Sequence, residues 1–295
     1  MTQYILIEEI VKKLETSNLT APALRLIHGT LYDAHIRAGG AAEFLSLRMN
    51  DQAVLRVSVL RDLIGSAGEK CNRQIKQAIK DLHGKNIFCE LQLSSNGRAL
   101  DFKFHNRFCE HATARKFDPE LGSHKYALLD TEIMKKCRTP SDFLFLTRVV
   151  MHERQKFPTF DLPGLEKGTE AQKIHGKLSK LQIETLKMRE GMFEPTPVKA
   201  IQWTKMRDSW INSAKKVSKI TGNSFLIRLH DGIREPGIQN VDVKVVGKHT
   251  AWVPENLYKL HSGTKLIEVY EDRHVYLSSA DVRARCKQTS IPGQI

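Results

Sequence analysis

The feature that most narrows the fold is a β-hairpin written into residues 87–104. Ile87, Cys89, Leu91 and Leu93 alternate with Phe88, Glu90, Gln92 and Ser94, and Leu100, Phe102 and Phe104 alternate on the return. A period of two sends one set of side chains to a core and the other to water. Between the runs stands Asn96-Gly97, a dipeptide suited to a two-residue turn in which both residues take positive φ. Just upstream, Glu69 to His83 has helical spacing. Ile75, Ala78, Ile79 and Leu82 face one way, Asn72, Arg73, Lys76, Gln77 and Lys80 face the other, and Gly84 closes the helix. A shorter helix, residues 58–64 with Ser58 as cap, and a turn from Gly65 to Gly68 come before it.

Helix, turn, helix and hairpin in this order predict a winged helix. A helix fits the major groove, where Arg suits guanine and Asn or Gln suits adenine. The outward set Asn72, Arg73, Lys76, Gln77 and Lys80 therefore predicts DNA contact, with Arg98 beside the hairpin turn reaching a phosphate or the minor groove. The alternative is an ordinary solvated helix face or a protein-contacting wing. Charge favours the nucleic acid: 46 Lys and Arg against 33 Asp and Glu give a formal +13 over 295 residues. Each cation placed on a phosphate releases condensed counterions.

Upstream, Ile7, Ile10, Val11 and Leu14 share a helical face. Thr20 and Pro22 open a second helix, lined by Leu24, Ile27, His28, Leu31 and His35 and ended by Gly39-Gly40. Both histidines are expected in the core. Phe44–Arg48 and Ala53–Val57 are expected as short strands around Asn50-Asp51. Downstream, residues 126–130 predict a strand and residues 131–137 a short helix. Thr139-Pro140 then opens a helix that buries Phe143, Leu146, Val149 and Val150. Phe157 to Gly164 is rich in Pro and Gly, and Glu166 to Glu190 has near-heptad spacing that suits either a helical arm or a solvated charged helix.

Thr196-Pro197 opens a further helix with Trp203, Met206, Trp210, Ala214 and Val217 on its apolar stripe. Lys205, Asn212, Lys215, Lys216 and Lys219 lie off that stripe; they are expected on DNA phosphates, or else on a plain charged surface. Residues 225–229 and 241–246 predict two strands, with Arg228 and Arg234 as wing arginines. The same stretch contains Asp231-Gly232 and Asp242-Val243-Lys244, which resembles the two-carboxylate and lysine pattern of Mg²⁺-dependent nucleases. A nuclease using Asp231, Asp242 and Lys244 is thus the enzyme alternative. A strand pair around Glu271–His274 and a short helix over 280–287 complete the chain.

No Gly-rich phosphate loop, His-x-Glu pair or Gly-x-Ser-x-Gly elbow is present, so no cofactor is expected and enzyme readings other than the nuclease fare worse. Five scattered cysteines, Cys71, Cys89, Cys109, Cys137 and Cys286, suit a reducing compartment, and the Cys109-Glu110-His111 cluster lacks a second zinc half-site. No apolar run spans a bilayer and no signal peptide stands at Met1–Tyr4, so a cytoplasmic protein is expected.

The two helix-plus-wing units together resemble the replication initiator (Rep) proteins of bacterial plasmids. The similarity rests on Val59-Leu-Arg-Asp-Leu-Ile-Gly65 leading into Asn72-Arg-Gln-Ile-Lys-Gln-Ala-Ile-Lys-Asp-Leu82 and its hairpin. It continues through Tyr126-Ala-Leu-Leu, the Ser141-Asp-Phe-Leu-Phe-Leu helix, and the Trp203–Thr221 helix with its two strands. The resemblance implies an α+β fold of tandem winged-helix domains: residues 1–118, residues 119–246 with a long helical insertion, and a small αβ extension over 247–295. It further implies an initiator without catalytic activity that binds origin repeats in double-stranded DNA and represses its own gene as a homodimer. Its partners would be the host initiator ATPase and the replicative helicase. A winged-helix transcriptional regulator, binding one palindrome, is the alternative without replication partners.

Overall fold

A computed structural model describes residues 3–40, 45–65, 68, 71–110, 126–153, 155, 158–166, 198–231, 238–246, 265–278 and 280–281. The chain is a mixed α+β protein that divides into two compact units, Met1–Arg154 and Gln155–Ile295.

The first unit begins with β1 (Gln3–Ile7), α1 (Glu8–Thr16) and α2 (Ala21–Arg37). Thr20 accepts from Ala23 N at 3.4 Å and Pro22 sits in the first turn, so α2 starts where the sequence indicated. Nearly every side of α2 is buried, because other elements of the unit pack around it. His28 is enclosed as expected: its ring stacks on Phe143 at 5.7 Å and its Nδ1 accepts the Tyr4 hydroxyl at 2.5 Å. Burial pushes the His28 imidazole down to about 3, because an unpaired cation is costly inside a core.

Next come α3 (Leu45–Asn50), β2 (Ala53–Arg56), α4 (Val57–Leu63) and α5 (Arg73–Leu82). Two expectations change here. Residues 45–50 are helical rather than extended, held against α2 and capped by the Arg37 guanidinium donating to Arg48 O at 3.0 Å. Tertiary packing overrides the short alternating pattern. Arg56, not Ser58, occupies the N-cap of α4, and no side chain caps it. Glu69 lies outside the described residues, and the helix expected from it runs from Arg73.

The hairpin follows as β3 (Phe88–Leu93) and β4 (Ala99–Phe104), and β2 pairs with β4 to give the sheet order β2-β4-β3. A bulge between Phe88 and Glu90 resets the alternation. Phe88 therefore turns inward to stack on Phe104 at 4.7 Å, while Cys89, expected in the core, is exposed. Helix α6 (Asn106–Glu110) adds Phe108, stacked on Phe104 at 5.6 Å.

The unit closes with β5 (Tyr126–Asp130), α7 (Thr131–Met134) and α8 (Pro140–His152). β5 runs antiparallel to β1, Gln3 opposite Asp130 and Ile7 opposite Tyr126. This pairing moves residues 126–152 into the first unit, so the boundary falls near 154 and not at 118/119. Thr139 and Asp142 form the capping box of α8 with Pro140 in its first turn. Buried Arg148 on α8 holds Glu15 of α1 through two hydrogen bonds of 2.7 and 2.6 Å.

Among the described residues, the second unit is an antiparallel sheet with one long helix. Its elements are β6 (Thr159–Glu166), α9 (Val198–Thr221), β7 (Ser224–Asp231), β8 (Ile238–Val246), β9 (Lys265–Tyr270) and β10 (Arg273–Leu277), in the sheet order β10-β9-β7-β8-β6. The Pro/Gly-rich connection of the sequence is thus largely a strand, its register shifting between Leu162 and Leu165 around Pro163-Gly164. A bulge on an outer strand is where proline is tolerated. Because β9 pairs with β7, the C-terminal extension is part of the sheet rather than an appendage. Phe225, Ile227, Val241, Val243, Ile267 and Val269 form one buried face, and α9 brings Trp210, Ile211, Ala214 and Val217 to the core. Residues 167–197, including most of the near-heptad segment, and residues 282–287 lie outside the described residues, as does Arg234.

Candidate nucleic-acid interface

Helix α5 presents a sharply divided surface. Ile75, Ala78 and Leu82 are buried, and Arg73, Lys76, Gln77 and Lys80 are exposed. Their spacing of three and four puts the exposed four on one stripe, roughly 10 Å long at 1.5 Å per residue. Of these, Gln77 has its amide nitrogen engaged with Asp81 Oδ1 at 2.7 Å, and Asp81 in turn accepts from Thr20 at 2.6 Å. The three cations therefore carry the stripe.

Asn72 does something other than the base contact expected of it. Its Oδ1 accepts from Arg61 of α4 at 2.5 Å, and its Nδ2 donates to Gly97 O in the hairpin turn at 2.9 Å. One half-buried amide thus ties α4, the start of α5 and the hairpin tip together. The turn itself is not the two-residue form expected. Gly97 N donates to Ser94 O at 2.8 Å and Ser94 N to Ala99 O at 2.9 Å, so Ser95 and Asn96 occupy the corner. Gly97 takes φ +65°, while Asn96 has no positive φ. A Cβ on Gly97 would stand 2.8 Å from Asn72 Nδ2, so glycine is needed both for the backbone and for the close approach.

Arg98 is exposed next to this turn, and its carbonyl accepts from Val57 N at 2.9 Å, which anchors the hairpin to the start of α4. Arg56, exposed on β2 and opposite Ala99 in register, brings a second arginine to the same edge. The sequence reading missed it because Arg56 sits at a strand-to-helix junction. The alternation of buried Ala53 and Leu55 with exposed Val54 and Arg56 is the signal that locates it.

In the second unit, Asn212 and Lys219 are exposed on α9, and Lys215 and Lys216 are half-buried. Lys205 falls on α9, with its side chain outside the described residues. Arg228 is not a free wing arginine: it makes a two-pronged ion pair with Asp242 on the neighbouring strand. That pair also bears on the two-carboxylate pattern. Asp231 is opposite Gln239, three positions from the Arg228–Asp242 pair. An odd separation places positions 231 and 242 on opposite faces of the sheet. Lys244 is only 7% exposed. Burial pushes its ammonium down. Two carboxylates and a lysine around one ion are therefore not what these strands assemble. Among the described residues no cluster of three or more His, Cys, Asp or Glu has metal-binding geometry, and no helix is long and apolar enough to cross a membrane.

No protein-family model matches the chain, and no curated protein matches it in sequence.

Proposed function

We propose that the first unit is a winged-helix module that binds duplex DNA. The observation that carries this is the exposed Arg73, Lys76 and Lys80 stripe of α5 beside a hairpin that Asn72 pins to the helix start. The order α2, β2, α4, α5, β3, β4 with sheet order β2-β4-β3 supports it, being that of a helix-turn-helix with a wing. In such a module α5 enters the major groove, Arg98 and Arg56 meet the flanking phosphates, and Asn72 sets the angle between them.

Within that class the chain is best read as a replication initiator of the plasmid type. It binds repeated origin sites, limits its own synthesis as a dimer, and recruits the host initiator ATPase and helicase. The sequence resemblance supports this finer reading. The five-stranded sheet of the second unit is larger than a wing, so the tandem arrangement rests on its helix–strand–strand order alone.

The test is direct. A plasmid carrying the coding sequence and its adjacent direct repeats replicates in a host that cannot otherwise maintain it, and Lys76→Ala with Lys80→Ala abolishes maintenance. Binding to a single palindrome without plasmid maintenance would instead identify a transcriptional regulator. Mg²⁺-dependent cutting of plasmid DNA that is lost in Asp242→Ala would refute the non-catalytic reading.

A further inference from the structure

The outer edge of the second unit's sheet has an unusual composition. Every residue of β10 from Arg273 to Tyr276 is exposed. Tyr276 keeps 48% of its surface in water, and His274 stands against it edge-on with ring centroids 5.6 Å apart. In register they lie opposite Ile267 and Val269, on the face that α9 covers further along the sheet.

Helix α9 runs beside this pair. Ser218 Oγ accepts from Glu271 N at 2.6 Å, which sets the end of α9 against the β9–β10 turn. One turn back, Lys215 is near enough to His274 to act on its charge. The His274 imidazole is pushed down by partial desolvation and by the Lys215 ammonium, against an opposing pull from Asp208. Lys219, the residue after Ser218, is exposed, whereas Arg273, with its side chain 75% exposed, alternates with Val275 onto the opposite face of the sheet. The carboxylates on this side have cations of their own: Asp208 pairs with Arg207 at 2.8 Å, and Asp272 lies 3.9 Å from Arg273. Glu271 occupies the turn itself.

We propose that α9 and β10 together bind single-stranded nucleic acid, with bases stacking on Tyr276 and His274 and phosphates meeting Lys215 and Lys219. Aromatic faces flanked by cations are the elements that such binding uses, since every base has a π-face and every nucleotide a charge. A duplex fits poorly, because its bases are already stacked on one another and offer no face to a ring lying on a sheet. The contrast with α5 is instructive. That helix shows a free row of cations, whereas Lys215 and Lys216 are half-buried and α9 is flanked by a strand. An apolar protein partner fits poorly too, since the other exposed hydrophobic of β10, Val275, alternates onto the opposite face.

This inference goes beyond duplex binding by the first unit and is tested separately from it. Fluorescence anisotropy with labelled oligothymidine and oligouridine of about 20 nucleotides, and with a duplex of equal length, is measured on the full chain. Tyr276→Ala combined with His274→Ala is expected to weaken single-strand binding by about tenfold or more, from the stacking of one or two bases, and to leave duplex affinity unchanged. Tyr276→Phe, which keeps the ring, is expected to bind as the parent does. Equal single-strand affinity in parent and double variant overturns the proposal, as does an equal loss on the duplex or a loss in Tyr276→Phe matching that of the double variant. Lys76→Ala with Lys80→Ala reads the duplex surface independently, so failure of one does not imply failure of the other.

Discussion

His28 gives the sharpest test of how the first unit is packed. Its imidazole is buried between Tyr4 and Phe143, neutral, with a folded-state value of about 3 against roughly 6.5 in the unfolded chain. Between these values the unfolded chain binds a proton that the native protein does not, so stability rises with pH across that window. The contribution is complete above about pH 6.5 and is lost as the pH falls toward 3. From about pH 7 to about pH 4.5 the loss amounts to roughly 2.5 kcal/mol, to order of magnitude. His28→Gln keeps an acceptor for the Tyr4 hydroxyl and removes the titrating group. Urea unfolding followed by far-ultraviolet circular dichroism at both pH values, on parent and variant, isolates this term because all other titrating groups are common to both chains. The parent is expected to lose about 2.5 kcal/mol more than the variant over this interval. Parallel pH losses would refute a buried, neutral His28.

Three further outcomes follow from single contacts. Arg148→Ala leaves Glu15 without its two-pronged partner in a buried site, and urea unfolding should show a loss of about 3–5 kcal/mol. Asn72→Ala breaks both links to Arg61 and Gly97. It should cost about 1–2 kcal/mol of stability, and hydroxyl-radical footprints should lose protection on the hairpin side while keeping that of α5. Gly97→Ala meets both a positive φ and the Asn72 amide; a stability loss of at least about 1 kcal/mol by thermal melting is expected.

What the sequence made legible is what local chemistry dictates. Thr20-x-Pro22 and Thr139-Pro140-x-Asp142 mark helix starts because the capping groups are neighbours in the chain. The exposed stripe of α5 was readable for the same reason: burial of Ile75, Ala78 and Leu82 fixes which residues face out. The misses depend on distant partners. β1 is a strand because β5 pairs with it from the far end of the unit, and β6 is a strand because β8 does. The bulge at Phe88–Glu90 follows from the aromatic stack with Phe104 and Phe108, which alternation alone does not contain. Asn72 reads as an outward helix residue in sequence. Standing at the N-cap instead, it meets the hairpin turn. Arg228 looks like a wing cation until the register sets Asp242 opposite it.

The central claim, that α5 lies on DNA phosphates, is tested most directly by the salt dependence of duplex binding. Affinity for a mixed-sequence duplex of roughly 30 base pairs is measured from about 50 to about 200 mM salt for the parent and for Lys76→Ala with Lys80→Ala. Each phosphate contact contributes about 0.9 to the slope of log affinity against log salt. The double variant should bind more weakly at low salt, with a slope shallower by about 1.8, so that this fourfold rise in salt weakens it roughly tenfold less than the parent. Two parallel lines would take α5 off the DNA and contradict the account.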